Sequence, residues 1–127
     1  MKISHVALWS KDIEQLRHFY ETYFNAQAGE RYENTNKGFA SYFLTFPGAE
    51  AKLELMQQSV ITYQPEETPL GWAHLAISVG SEKKVDNLTT VITEDGHTII
   101  GQPRWTGDGY YESVVADPEG NWIEITI

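Results

Sequence analysis

Two polar residue types recur at matching places in the two halves of this chain. That recurrence restricts the fold more than any other feature. One histidine stands in "ISHVALWS" (3–10) and another in "GWAHLAIS" (71–78), each followed by an apolar residue and then alanine. One glutamate stands in "AKLELMQ" (51–57) and another in "NWIEITI" (121–127), each after a turn holding Pro and Gly, "PGAE" and "DPEG". His5 and His74 are 69 positions apart, and Glu54 and Glu124 are 70 apart. A repeat of that period is weighed before any single motif, because each half must then be one supersecondary unit.

The signals between these landmarks follow one order twice. Residues 2–9 alternate as a strand. "SKDIEQLRHFYETYFN" places Ile13, Leu16, Tyr20, Tyr23 and Phe24 at helical spacing, with Ser10 or Asp12 as its cap. A short strand is placed near 29–34, and "GFASYFLTF" (38–46) forms a hairpin with 51–57. Residues 58–70, with Pro65 and Pro69, have loop composition. The second half opens with a strand at 72–79. A helix follows, capped by Ser81, with Val85, Leu88 and Ile92 on one face and Gly96 at its end. "HTIIGQPRW" is a short strand, and 110–116 pairs with 121–127 about "DPEG". The predicted class is α+β. Two βαβββ modules, about 1–58 and 71–127, are joined by a linker of about 59–70 within one domain, 1–127.

Side chains alternate across a strand. Val6 and Leu8 therefore oppose His5, Ala7 and Trp9, and Leu75, Ile77 and Val79 oppose Trp72, His74 and Ala76. Leu53 and Leu55 oppose Glu54 and Met56, and Ile123, Ile125 and Ile127 oppose Trp122 and Glu124. The aliphatic face suits a helix, and slipping any strand by one residue would expose it, so the register is well specified. The other face is harder to explain. Plain solvent is a poor place for Trp9, Trp72, Trp122 and Met56. A dry core makes each carboxylate cost several kcal/mol or forces it to take up a proton. A partly dry site holding a divalent cation answers both objections. Two imidazoles and two carboxylates neutralise a 2+ ion, and this nitrogen–oxygen set suits Zn, Ni, Co, Mn or Fe(II) better than Ca or Mg. Taken singly, a strand His is more often a hydrogen-bonded structural residue, and a strand Glu is usually solvated. Their recurrence in phase in both halves is what argues for a site.

Other features exclude partners. The net charge is −9 and the nine Lys and Arg are scattered, so no basic face for nucleic acid is expected. No apolar run approaches the roughly 20 residues of a membrane helix. The N-terminus lacks a signal-peptide core, and a cytoplasmic protein is expected. There is no cysteine, hence no thiolate ligand, disulfide or cysteine nucleophile. His18 and His97 read as surface residues, and nothing in the sequence places Asp108 or Glu112 beside the four donors.

The segments "HVALWSKDIEQLRHFYE" and "VVADPEGNWIEI" carry a resemblance that spans the whole chain. With His in the first strand and Glu in the last strand of each module, the sequence resembles glyoxalase I and the wider vicinal oxygen chelate superfamily of glyoxalase, bleomycin-resistance and dioxygenase proteins. The resemblance implies cup-shaped sheets and a metal held by His5, Glu54, His74 and Glu124. It implies a homodimer with sites shared between chains. It also implies a small-molecule substrate and lyase- or isomerase-type proton transfer through a metal-bound enediolate, with Glu124 as general base and Glu54 returning a proton. Some segments depart from glyoxalase I. Trp9 stands where that enzyme has arginine, "ELMQQ" replaces "ELTYN", and "GQPRWTGDGYY" replaces its loop. These changes point away from a glutathione hemithioacetal and towards a small aromatic or apolar substrate lined by Trp9, Met56, Trp72, Trp105 and Trp122. The alternatives are a non-enzymatic, drug-sequestering protein of the bleomycin-resistance type, which stacks a cationic aromatic molecule, an Fe(II) ring-cleaving dioxygenase, and a fosfomycin-type transferase.

Overall fold

The computed structural model describes residues 1–66 and 70–127, so part of the expected linker, 67–69, lies outside the described residues. The chain divides into two compact units, Met1–Glu66 and Glu67–Ile127.

The first unit runs β1 (His5–Trp9), α1 (Ile13–Phe24), β2 (Gln27–Ala28), β3 (Tyr32–Asn34), a turn of 3-10 helix (Thr35–Lys37), β4 (Phe39–Thr45) and β5 (Lys52–Gln58). Its sheet has the order β1-β5-β4-β2, with β3 also on β4. Only the β1–β5 pair is parallel. Asp12 is the residue that caps α1: its Oδ1 accepts from the amides of Glu14 and Gln15 at 3.1 and 3.0 Å. Ser10 instead accepts from the Asp12 amide at 3.0 Å. Asn25 closes the helix in the left-handed region, φ 52°, which Asn tolerates better than most side chains. Ile13, Leu16, Phe19, Tyr20 and Phe24 are buried on α1, as are Leu44, Leu53 and Leu55 on the strands it covers.

The second unit runs β6 (Leu75–Ser78), α2 (Glu82–Glu94), β7 (Ile99–Trp105), β8 (Tyr111–Ala116) and β9 (Trp122–Thr126), in sheet order β6-β9-β8-β7. Ser81 caps α2. At the other end the His97 amide donates to Ile92 O (3.1 Å) and the Gly96 amide to Thr93 O (3.0 Å), with Gly96 at φ 87°. That pattern is a Schellman motif. The buried side of α2 is Val85, Thr89 and Ile92, facing Val115, Ile123 and Ile125. Leu88, expected on that side, is only half-buried. Thr89 fits because its hydroxyl is satisfied twice, by Val85 O at 2.7 Å and by the Ser113 hydroxyl at 2.6 Å.

Several strands are shorter than their sequence signals. β6 begins at Leu75 rather than 72, so Trp72 and His74 precede it. Its partner β9 begins only at Trp122, one residue past the "DPEG" turn, and the ladder has no earlier rung. β1 likewise begins at His5, opposite Lys52, the first residue of β5. The segment near 29–34 holds one short strand, β3, with β2 just before it. No helix among the described residues is long and apolar enough to cross a membrane.

Candidate functional site

In the first unit, parallel pairing sets His5 opposite Lys52 and Ala7 opposite Glu54. His5 and Glu54 are thus diagonal neighbours on one face, within reach of long side chains. His5 Nε2 lies 3.8 Å from Glu54 Oε2. In the second unit Ala76 stands opposite Glu124, and His74 occupies the same diagonal place, with Nε2 3.4 Å from Glu124 Oε2. The two imidazoles are 44% and 40% exposed and the two carboxylates 15% and 18%, so each pair is a covered acid beside an accessible ring. The aliphatic residues on the opposite faces, led by Leu53, Leu55, Ile123 and Ile125, are buried with the helices.

The donor set suits a cation. Two donors each about 2.1 Å from one ion and subtending roughly 90–130° lie about 3.0–3.8 Å apart. Both observed separations fall in that range. Among the described residues no three His, Cys, Asp or Glu side chains are grouped for a metal.

The second unit adds two residues that sequence reasoning did not place. Antiparallel pairing puts Val114 opposite Glu124 and Glu112 opposite Thr126, so Glu112 shares the face of Glu124 and lies diagonal to it. Arg104 pairs with Glu112 directly, Nη1 to Oε1 at 3.4 Å. Burial pushes the Glu112 carboxyl above the usual glutamate value; Glu124 pushes the same way, and Arg104 opposes both. The signal lay in "YYESVVA": once Val114 is known to face Glu124, alternation delivers Glu112 to the same side.

The expected aromatic lining divides. Trp9 stands opposite Met56 on the His5 face and meets Phe39 edge-on at 6.2 Å. Phe39 and Phe43, not singled out beforehand, join that face. Phe43 pairs with Glu54 and presents its ring edge to His5 at 5.3 Å. Trp122, 44% exposed, keeps the phase of Glu124. Trp72 is 90% exposed and belongs to no strand. Trp105 does not join the lining. It pairs with Tyr111, ring centroids 5.5 Å apart, and the Tyr111 hydroxyl donates to Asp86 on α2 at 2.8 Å. Trp105 therefore sits on the helix side of its sheet, one residue out of phase with Arg104.

The chain belongs to the Glyoxalase/Bleomycin resistance protein/Dioxygenase superfamily, whose sequence model matches residues 2–125. Solved structures share its fold. A glyoxylase/bleomycin resistance protein/dioxygenase domain from Frankia sp. EAN1pec aligns at TM-score 0.85 and 18% identity, covering 100% of this chain and 97% of that one. A possible glyoxalase from Bacillus cereus aligns at TM-score 0.71 and 27% identity, covering 100% and 99%. Glyoxalase I from Zea mays aligns at TM-score 0.81 and 21% identity, covering 98% of this chain but 44% of the maize chain. This chain thus spans less than half of that relative. No curated protein matches it.

Proposed function

We propose that this protein is a divalent-metal-dependent, glyoxalase-like enzyme in which His5, Glu54, His74 and Glu124 together hold one ion. The observation that carries the reading is the diagonal His–Glu pair, present in both units on the sheet face opposite the helix, at 3.8 and 3.4 Å. The superfamily holds many enzymes as well as non-enzymes, and its members commonly use divalent metals. The nitrogen and oxygen donors suit Zn, Ni, Co, Mn or Fe(II). When bound, such an ion supplies Lewis acidity, which stabilises negative charge developing on two neighbouring substrate oxygens. Glu124 takes the proton from the carbon next to the carbonyl through a carboxylate oxygen, and Glu54 returns one. Trp9, Met56 and Trp122 favour a small aromatic or apolar substrate. The reaction class is isomerase or lyase, and a homodimer shares the ligand pairs between chains.

Metal analysis of protein purified without chelator tests this reading. One ion per chain is expected, lost in the double variant His5→Ala/His74→Ala. Glu124→Gln is expected to lower turnover of a substrate found by screening 1,2-dioxygenated compounds by about 10²–10⁴-fold. Undiminished turnover removes Glu124 from its role.

A second reading rests on the ring cluster beside Trp9, in which Phe39 also meets Tyr32 at 6.0 Å. On an acidic protein such a cluster suits sequestration of an aromatic cation. Metal-free protein whose Trp fluorescence is quenched by a cationic aromatic dye supports that reading instead.

A further inference from the structure

The two ligand faces share their His and Glu and differ in what flanks them. Two residues before Glu54 stands Lys52, on the same face by strand alternation; two before Glu124 stands Trp122. Directly across from the two glutamates are Phe43 and Val114. What an ion needs is therefore duplicated. Lys52 and Phe43 belong to the first unit alone, so the ion does not account for them.

Lys52 leans towards the ligand pair. It is the ladder partner of His5. Its Nζ lies over the Phe43 ring, 6.0 Å from the centroid, and that ring meets the His5 ring at 5.3 Å and 85°. Attraction to the ring face holds the ammonium there. Lys52 is exposed, and among the described residues no carboxylate pairs with it. The chain has 18 acids to nine Lys and Arg, and Lys2, Arg17, Arg31 and Arg104 each have a carboxylate, at 3.5, 2.8, 2.7 and 3.4 Å. On the second unit's face, Arg104 is thus committed to Glu112. Lys52 keeps its charge available beside His5 and Glu54.

We infer that Lys52 is a substrate-binding residue and that the substrate is an anion, its carboxylate taken by the Lys52 ammonium while two neighbouring oxygens reach the ion. This rests on the reading of His5 and Glu54 as metal ligands. Two glutamates cancel the charge of a 2+ ion, so the ligand set by itself leaves an anionic substrate unbalanced. Lys52 supplies the missing positive charge on the same face. One ammonium matches the single charge of a carboxylate. A point charge on a flexible stem also exchanges its ring contact for that carboxylate at little cost.

The test uses the full chain loaded with Zn²⁺ and two matched pairs of chelators, 2,3- and 3,4-dihydroxybenzoate and the corresponding benzamides. Each acid and its amide offer the same two oxygens and differ in one negative charge. Titration calorimetry gives the ratio of acid to amide affinity. In the parent at least one acid is expected to bind about tenfold more tightly than its amide. Lys52→Met is expected to abolish that preference and Lys52→Arg, which keeps the charge, to retain most of it. Should Lys52→Met fail to fold, Lys52→Gln replaces it. A parent that prefers neither acid, or a preference that survives in the folded Met or Gln variant, overturns the proposal while Zn²⁺ uptake leaves the metal reading standing. A parent that takes up no Zn²⁺ removes the metal reading and the proposal with it.

Discussion

At the scale of single residues, polar side chains are readable when their surroundings make them expensive. His5, Glu54, His74 and Glu124 stood out because each interrupts a strand whose neighbours are aliphatic or aromatic. Glu112 did not stand out, because it follows a loop rich in Gly, Asp and Tyr where a glutamate costs nothing. Asp117, the first residue of the "DPEG" turn, is another buried acid. It is 4% exposed, and its carboxylate accepts from the amides of Glu119 and Asn121 at 2.9 Å each and from the Asn121 side chain at 2.8 Å. Burial raises its pKa above the ordinary 3.8, and these hydrogen bonds only partly offset the rise. The folded chain therefore holds this proton more tightly than the unfolded chain, and the site's contribution to stability falls as pH climbs from near 3.8 through the folded value. Asp117→Asn lacks this proton. Urea unfolding at a series of pH values should show the stability of the parent relative to Asp117→Asn shrinking as pH rises through that window. A difference that grows with pH would contradict the sign.

At the scale of elements, both helices were legible from period and caps because those signals are local. The Schellman turn at Gly96 gives a sharp test. A Cβ there meets nothing within 4 Å, yet φ is +87°. The cost of Gly96→Ala is therefore conformational, about 1–2 kcal/mol, whereas Gly107→Ala, also in open space and without a positive φ, should be nearly neutral. Chemical denaturation of the two variants compares them directly. Ile125 tests the aliphatic face behind Glu124. It is fully buried, and Ile125→Ala should cost about 2–5 kcal/mol. The interior of α2 was less legible. Thr89 is buried because Ser113 on β8 answers its hydroxyl, a partner 24 residues away.

At the scale of the whole molecule, the α+β class and the repeated order of elements followed from the sequence, while strand order within each sheet did not. The proposed sharing of the ligand pairs between chains makes a complementation prediction. One variant carries His5→Ala/Glu54→Ala and another His74→Ala/Glu124→Ala, and neither alone should bind stoichiometric metal. If sites form between chains, a mixed dimer keeps one intact set, and unfolding and refolding the two together should restore part of the metal binding. If they form within one chain, mixing restores nothing. Metal content after gel filtration of the mixture reads the outcome.

The sequence by itself determined the duplicated βαβββ order, the Ser81 and Gly96 ends of the second helix and the common phase of the four donors. Each of these depends on spacing along a single segment, and the alternation of side chains in a strand is fixed by local backbone geometry. The tertiary structure alone decided what stands beside those donors. It brought each His within 4 Å of its Glu, set Glu112, itself paired with Arg104, diagonal to Glu124, and carried Trp105 to the helix side. Neighbours across a sheet depend on register. In β7 the register shifts twice around Gly101 and before Arg104, so a face counted along the sequence cannot be carried across to the next strand.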